Sequence, residues 1–122
     1  MRVLCAGHVN WDVTLRVDSL PGPDGEAAID AQTHAGGGSA SNTAVAMTGL
    51  GADTLLLGCI GTDENGDYVR QELTEAGVDC THLQQRSGET TVKYLIVDSQ
   101  GEVMVLANDG VNEAFRAADV SD

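Results

Sequence analysis

The sequence predicts an α/β fold in which a mostly parallel sheet is flanked by helices. Three observations support this prediction. Strand-like and helix-like segments alternate along the 122 residues, an order that favours parallel sheets. The run 54–60 is almost wholly apolar, as expected of a parallel strand covered on both faces. Two hairpin-like stretches interrupt the alternation, and the first indicates a small β flap over the sheet.

The first third of the chain predicts a strand followed by a hairpin. Residues 3–9 are mainly apolar and indicate a buried strand. Apolar and polar residues then alternate over 13–18, as in a strand with one exposed face. A turn-forming cluster at 21–25 precedes a second extended stretch over 26–34. We therefore expect a half-exposed hairpin that covers the main sheet without joining it.

Three consecutive glycines, at 36–38, precede the first predicted helix. Ser39 and Ser41 are suitable N-caps for this helix, which is predicted over 42–50. Its small side chains would let it lie close to a sheet. A glycine at its end would provide the C-terminal cap.

The second predicted helix spans 68–76 and follows a turn. Asp63 is the expected cap at its start, and Gly77 is the expected cap at its end. Four later segments complete the chain. They are a weak strand at 78–84, a second hairpin at 91–107, a loop at 108–112 and the start of a helix at 113–120.

The charge of the chain disfavours two classes of partner. The sequence has 19 acidic and six basic residues, and its formal net charge is −13. A surface this acidic disfavours nucleic acids and anionic membranes. It favours a salt-adapted, halophilic cytoplasm, where dissolved ions screen the self-repulsion, over an ordinary acidic protein.

Hydropathy and cysteine content indicate a cytoplasmic protein. No apolar run approaches the roughly 20 residues of a membrane helix. The first residues are typical of a strand rather than a signal peptide. Cys5, Cys59 and Cys80 are odd in number and lack metal-ligand spacing. They are therefore expected to be reduced, buried thiols.

A polar site with close backbone contacts is predicted around the glycine run. Gly37 and Gly38 lack Cβ atoms, so a ligand can approach their backbone. Asn42 lies early in the following helix. Asn10 and Asp12 follow the first strand, where open α/β sheets bind ligands. The run lacks the lysine of a phosphate-binding P-loop and the third glycine of a dinucleotide fingerprint. A flexible turn at the glycines, and a cap at Asn10 and Asp12, remain alternatives.

These motifs resemble the N-terminal part of the ribokinase-like, phosphofructokinase B type carbohydrate kinases. Small residues surround an Asn in segment 37–44, and Gly51 and Gly61 follow at the spacing of the family. Three further motifs match the family pattern. They are Asn10-x-Asp12, Gly61-x-Asp63-x-x-Gly66 and Gly110-Val111-Asn112.

The resemblance implies a Rossmann-like, ribokinase-like fold with a β lid at about 13–34 and 90–107. The whole chain, 1–122, would be the N-terminal portion of the kinase domain. Trp11 would either stack on the ligand or pack under the lid. The implied sugar-binding residues are Asn10, Asp12, Gly37, Gly38 and Asn42.

The resemblance also implies functional parts beyond Asp122. In such kinases a Gly-Ala-Gly-Asp motif supplies the catalytic base, and the ATP and Mg²⁺ sites lie near it. No catalytic residue and no metal ligand is therefore expected in this sequence, and the chain alone should be inactive. The predicted function is acceptor binding for an ATP-dependent sugar kinase, with homodimerisation through the lid as a candidate assembly. The alternative is a non-catalytic sugar-binding or assembly module.

Overall fold

The computed structural model describes residues 1–108 and 110–119. These residues form eight strands, two α-helices and two short 3₁₀ turns. The strands are β1 (Arg2–Ala6), β2 (Asn10–Val17), β3 (Ile29–Gly37), β4 (Asp53–Leu57), β5 (Cys59–Gly61), β6 (Gln84–Arg86), β7 (Val92–Val97) and β8 (Val103–Ala107). The helices are α1 (Ser39–Gly49) and α2 (Glu64–Glu75), and the 3₁₀ turns are Val111–Ala114 and Ala117–Asp119.

Both types of sheet predicted from the sequence are present. β1 pairs in parallel with β4, and β5 pairs in parallel with β6. The two hairpins join in a single four-stranded sheet of order β3-β2-β7-β8. Within it β2 is parallel to β7, while β2–β3 and β7–β8 are antiparallel. The α/β prediction is therefore confirmed, and the four-stranded sheet brings together residues distant in sequence.

The core lies between this four-stranded sheet, the β1–β4 pair and the two helices. Along β2 every second side chain faces inward, as the alternating pattern predicts. Val9, Trp11 and Val13 pack in one cluster with Val69 and Leu73 of α2. The opposite face of β2 is therefore free to carry polar groups.

Several predicted strand boundaries were wrong. The first strand ends at Ala6 rather than residue 9, and Leu4 within it is 57% exposed. The predicted strand 54–60 is interrupted at Gly58, where an added Cβ would lie 2.8 Å from the Gly7 carbonyl oxygen. The backbones approach too closely there for a regular strand with side chains.

The segment between α2 and β7 also differs from the prediction. In the predicted strand 78–84 only Asp79 forms a bridge, to Leu55, and regular pairing starts at Gln84. The predicted helix at 113–120 is replaced by the two 3₁₀ turns, and Val120 and Asp109 lie outside the described residues.

The first helix begins earlier than predicted and without a serine cap. Its N-cap is Gly38, and no side chain caps it. Ser39 lies within the helix, and the backbone N–H of Ser41 donates to the His8 carbonyl oxygen at 3.5 Å. Because only glycine readily adopts the φ of 96° and ψ of 144° found at Gly38, the backbone rather than a hydroxyl sets this helix start.

The second helix has the caps that the sequence predicts. The Asp63 carboxylate accepts hydrogen bonds from the N–H of Gly66 at 3.0 Å and from the Thr90 hydroxyl at 2.7 Å. Burial raises the pKa of Asp63, but these hydrogen bonds outweigh it and lower the pKa below its ordinary value. Gly77 follows the helix with a φ of 92°. Asp63 therefore joins α2 to the segment that leads into β7.

The helices were compared with the requirements for crossing a membrane. Neither α1 nor α2, the helices of residues 1–108 and 110–119, has the length and apolar character of a membrane span.

Candidate functional site

Asn10 and Asp12 lie at the start of β2, close to the end of β1. Only residues 7–9 separate the two strands. Because successive side chains of a strand alternate between its faces, Asn10 and Asp12 share the face opposite the core. The sequence predicted that they follow the first strand, with a turn or cap as the alternative; the structure places them inside a strand of the four-stranded sheet.

The carboxylate of Asp12 lies directly against the bare backbone of Gly37. Gly37 pairs with Asn10 across the β2–β3 ladder. A Cβ added to Gly37 would lie 2.5 Å from the Cγ of Asp12, a distance that no real side chain could occupy. The missing side chain therefore makes room for the carboxylate.

One oxygen of this carboxylate has no hydrogen-bond partner. The Oδ1 atom of Asp12 is buried and unpaired among the described residues. Burial raises the pKa of Asp12, and the positive charge of Lys93 opposes that rise. An unsatisfied buried carboxylate oxygen is costly, and it is suited to accept a hydrogen bond from a donor group.

Asn10 is held in place by a residue near the end of the chain. Its side chain is 1% exposed, and its Oδ1 accepts a hydrogen bond from Nδ2 of Asn112 at 2.7 Å. The Oδ1 of Asn112 in turn accepts from the N–H of Val9 at 3.0 Å. The Nδ2 of Asn10 donates to no described side chain. The segment carrying Asn112 therefore fixes the start of β2.

Gly38 lies where two backbone segments cross. A Cβ at this position would lie 2.7 Å from the carbonyl carbon of His8 and 3.0 Å from the Cα of Val9. The predicted close backbone approach at the glycine run is therefore present, but the group that approaches Gly38 is the chain itself.

The first glycine of the run is tied to α2. The N–H of Gly36 donates to both carboxylate oxygens of Glu72, each at 3.0 Å. One turn earlier on α2, the ring of Tyr68 lies 5.5 Å from the ring of Trp11. Trp11 is 8% exposed and belongs to the core. Of its two predicted roles, the structure favours packing over ligand stacking.

Asn42 is the least constrained of the predicted residues. It lies in the first turn of α1, and its backbone N–H donates to the Gly38 carbonyl oxygen at 2.9 Å. Its side chain is exposed and makes no hydrogen bond to a described residue. The structure thus brings Asn10, Asp12 and Gly37 together, places Gly38 beside them, and leaves the Asn42 side chain free.

Three residues near this site make contacts that the sequence did not predict. Glu72 and Asn112 are distant in sequence from the residues they contact, so no local pattern identified those contacts. Lys93 was noticeable as the single lysine of the chain. It pairs with Asp12 across the parallel β2–β7 ladder, and only that pairing relates it to the site.

Metal binding gains no support from these residues. Within residues 1–108 and 110–119, no three His, Cys, Asp or Glu side chains converge in a way that could hold a metal ion. The three cysteines are free and buried.

Comparisons with known proteins match the whole chain to one family. The family model described as "pfkB family carbohydrate kinase" matches residues 1–122. The chain is 54% identical, over its full length, to an ATP-dependent ribose-1-phosphate kinase from Halopiger xanaduensis, and it spans 42% of that relative.

Solved structures agree on the fold. The nucleoside kinase of Methanocaldococcus jannaschii matches 89% of the chain at 28% identity, with a TM-score of 0.77. A ribokinase from Cryptococcus neoformans in complex with ADP matches 89% at 26% identity, with a TM-score of 0.74. The chain spans 37% and 34% of these two proteins.

Proposed function

Because the chain belongs to the pfkB family of carbohydrate kinases, we propose that it forms the acceptor-binding part of a longer ATP-dependent kinase. This kinase transfers the γ-phosphoryl group of ATP to a sugar hydroxyl. The observation that carries the proposal is the buried, unpaired Oδ1 of Asp12 over the bare backbone of Gly37. Such an oxygen is suited to accept a hydrogen bond from a sugar hydroxyl.

Each proposed site residue has a distinct role in holding the acceptor. Asp12 accepts from sugar hydroxyls. Asn10 donates through its Nδ2, since its Oδ1 is occupied by Asn112. Gly37 lets the sugar and the Asp12 carboxylate approach the backbone. Asn42 extends the site from α1 with an exposed amide that can donate and accept.

We propose a ribose derivative as the acceptor. The relative that is 54% identical over the whole chain is a ribose-1-phosphate kinase by name. We propose the same acceptor class for this protein. A site made of one carboxylate and two amides also suits the ribose ring alone, so phosphorylated and unphosphorylated forms must be compared.

We propose no ATP or Mg²⁺ site on the described residues. No cluster of metal-ligating side chains is present among them, and the N–H of Gly36 is occupied by Glu72. The proposal is that residues beyond the described part bind the nucleotide and supply the catalytic base, and that phosphoryl transfer depends on their positioning.

A coupled assay for ADP formation tests the proposal. The chain alone and the intact enzyme, extended by its downstream coding sequence, are each supplied with ATP, Mg²⁺ and either ribose-1-phosphate, ribose or a nucleoside. Turnover by the intact enzyme alone supports an acceptor-binding part of a kinase. Sugar binding without turnover in either form would favour the non-catalytic module instead.

An exposed apolar strand favours a homodimer. β8 is an edge of the four-stranded sheet, and Val103, Val105 and Leu106 in it are each more than 50% exposed. Edge strands of this kind readily pair with another chain. We propose that two copies associate through β8. Light scattering should show a dimer, and Val105→Lys should shift it toward the monomer, whereas Val45→Lys on exposed α1 should not.

The charge of the chain leads us to propose a salt-adapted cytoplasmic protein. With a net charge of −13, self-repulsion destabilises the folded state at low ionic strength. At about 1 M salt the Debye length falls to roughly 3 Å, so this repulsion is screened. We expect the unfolding midpoint to rise as KCl increases from about 0.1 to 2 M. Sucrose of equal osmolality serves as the control, and a midpoint that falls with KCl would contradict the proposal.

A further inference from the structure

The single lysine of the chain lies on the same face of the four-stranded sheet as Asp12. Lys93 is the register partner of Asp12 across the parallel β2–β7 pair. Register partners in a sheet project to the same side, and adjacent strands are about 4.8 Å apart. The half-buried Lys93 therefore lies one strand away from the proposed acceptor-binding carboxylate.

Lys93 forms no ion pair within the described protein. Residues 1–108 and 110–119 contain no salt bridge or side-chain hydrogen bond to its ammonium group, although the chain has 19 acidic residues. Asp12 is the nearest acid in register, yet no ion pair within 4 Å joins them, and the Asp12 Oδ1 remains unpaired. The charge of Lys93 lowers the pKa of Asp12 without an ion pair between them, so its ammonium group keeps its hydrogen-bond donors for another partner.

The other side chains on this face do not explain the lysine. On β2 they are Asn10, Thr14 and Arg16, and the register partner of Lys93 on β8 is Ala107. None of these carries a negative charge. Among the described residues, the half-buried Lys93 has no acidic register partner other than Asp12, so its ammonium group is suited to an anion brought by the ligand.

We propose that Lys93 binds a phosphate group already present on the acceptor, so that the substrate class is a sugar phosphate. This proposal rests on the proposed acceptor site. Asp12 and Asn10 would hold ring hydroxyls, and Lys93 would hold the phosphate one strand away. The strand spacing is comparable to the distance between a ring hydroxyl and a phosphate on a neighbouring carbon. Lys93 then distinguishes a phosphorylated sugar from the free sugar.

The proposal is tested by comparing two acceptors in the intact enzyme. Lys93→Met should lower kcat/KM for ribose-1-phosphate by about 10- to 100-fold, the usual range for one charge-assisted hydrogen bond. The same variant should leave kcat/KM for ribose within about threefold of wild type. Lys93→Arg should retain most activity on ribose-1-phosphate. The matched control is Arg16→Met, which removes an equal charge from an exposed position on the same face.

Two outcomes would overturn the role of Lys93 while leaving the kinase proposal intact. One is an equal loss on both acceptors, which would show that Lys93 acts only through Asp12. The other is a wild-type enzyme that phosphorylates ribose but not ribose-1-phosphate. If the wild type turns over neither acceptor, the proposed function fails. In that case, calorimetry measures the binding of ribose-1-phosphate directly. Binding that is unchanged in Lys93→Met would contradict the role of Lys93.

Discussion

Replacing Asp12 with Asn in the intact enzyme should lower kcat/KM for the sugar acceptor by roughly 100-fold, because charge-assisted hydrogen bonds to hydroxyls are lost. The carboxylate already lies against the bare backbone of Gly37 with one oxygen unpaired. It is therefore positioned before the sugar arrives. Asn has the same shape, but its amide nitrogen is a donor. Only one of its two terminal atoms can therefore accept hydrogen bonds from hydroxyls.

The same substitution should not destabilise the fold at neutral pH. Burial raises the pKa of Asp12 in the folded protein above its ordinary value. The folded state therefore prefers the protonated carboxyl, and the stability from this preference is present at low pH and is lost as pH rises through the raised pKa. Above the raised pKa the ionised carboxylate is a net cost, which Asn removes. The thermal unfolding midpoint of Asp12→Asn should equal or exceed that of the wild type.

Measurements of activity and stability together distinguish a role of Asp12 in ligand binding from a role in stabilising the fold. Asp18→Asn is the matched control, because it makes the same charge change at an exposed position just beyond β2. It should leave both measurements unchanged. If Asp12→Asn retained wild-type kcat/KM, or lost activity only in proportion to a loss of stability, Asp12 would not be an acceptor-binding residue.

The general architecture could be predicted from local patterns. The alternation along β2 indicated its buried and exposed faces, and Asp63 and Gly77 marked both ends of α2. These features depend on residues close in sequence, and each has a direct local cause. The predicted serine caps of α1 failed because the conformation of Gly38 sets that helix start, and the His8–Val9 backbone that packs on it is far away in sequence.

The site was only partly predictable for a related reason. Asn10, Asp12 and Gly37 could be named because they belong to recognisable motifs. Their arrangement depends on contacts over long sequence distances, such as Asn112 with Asn10 and Lys93 with Asp12. The parallel pairing of β2 with β7 joins the two hairpins, and no local pattern indicates which strands become neighbours. The relation of Lys93 to the site therefore required the structure.

The crossing of Gly38 with the segment 8–9 provides a test of the fold that underlies the site. Gly38→Ala should lower the free energy of unfolding of the intact enzyme by about 3–5 kcal/mol, because a strained φ and a backbone clash add together. The new Cβ would lie 2.7 Å from the His8 carbonyl carbon. The segment 8–9 cannot easily move away, because hydrogen bonds hold it on both sides. The N–H of Gly7 donates to the Leu57 carbonyl oxygen, and the N–H of Val9 donates to the Oδ1 of Asn112.

Gly51 offers a control for this substitution at a glycine where an added Cβ would meet no backbone. It has the same φ of 96° as Gly38, but an added Cβ would meet no atom within 4 Å. Gly51→Ala should therefore cost only the conformational term of about 1–2 kcal/mol. Denaturant unfolding of both variants measures the difference, which combines the cost of displacing the His8–Val9 backbone with the strain of the φ of 96° and ψ of 144° at Gly38. Equal losses would mean that this contact can relax freely, and that the start of β2, with Asn10 and Asp12, is not held by the glycine run.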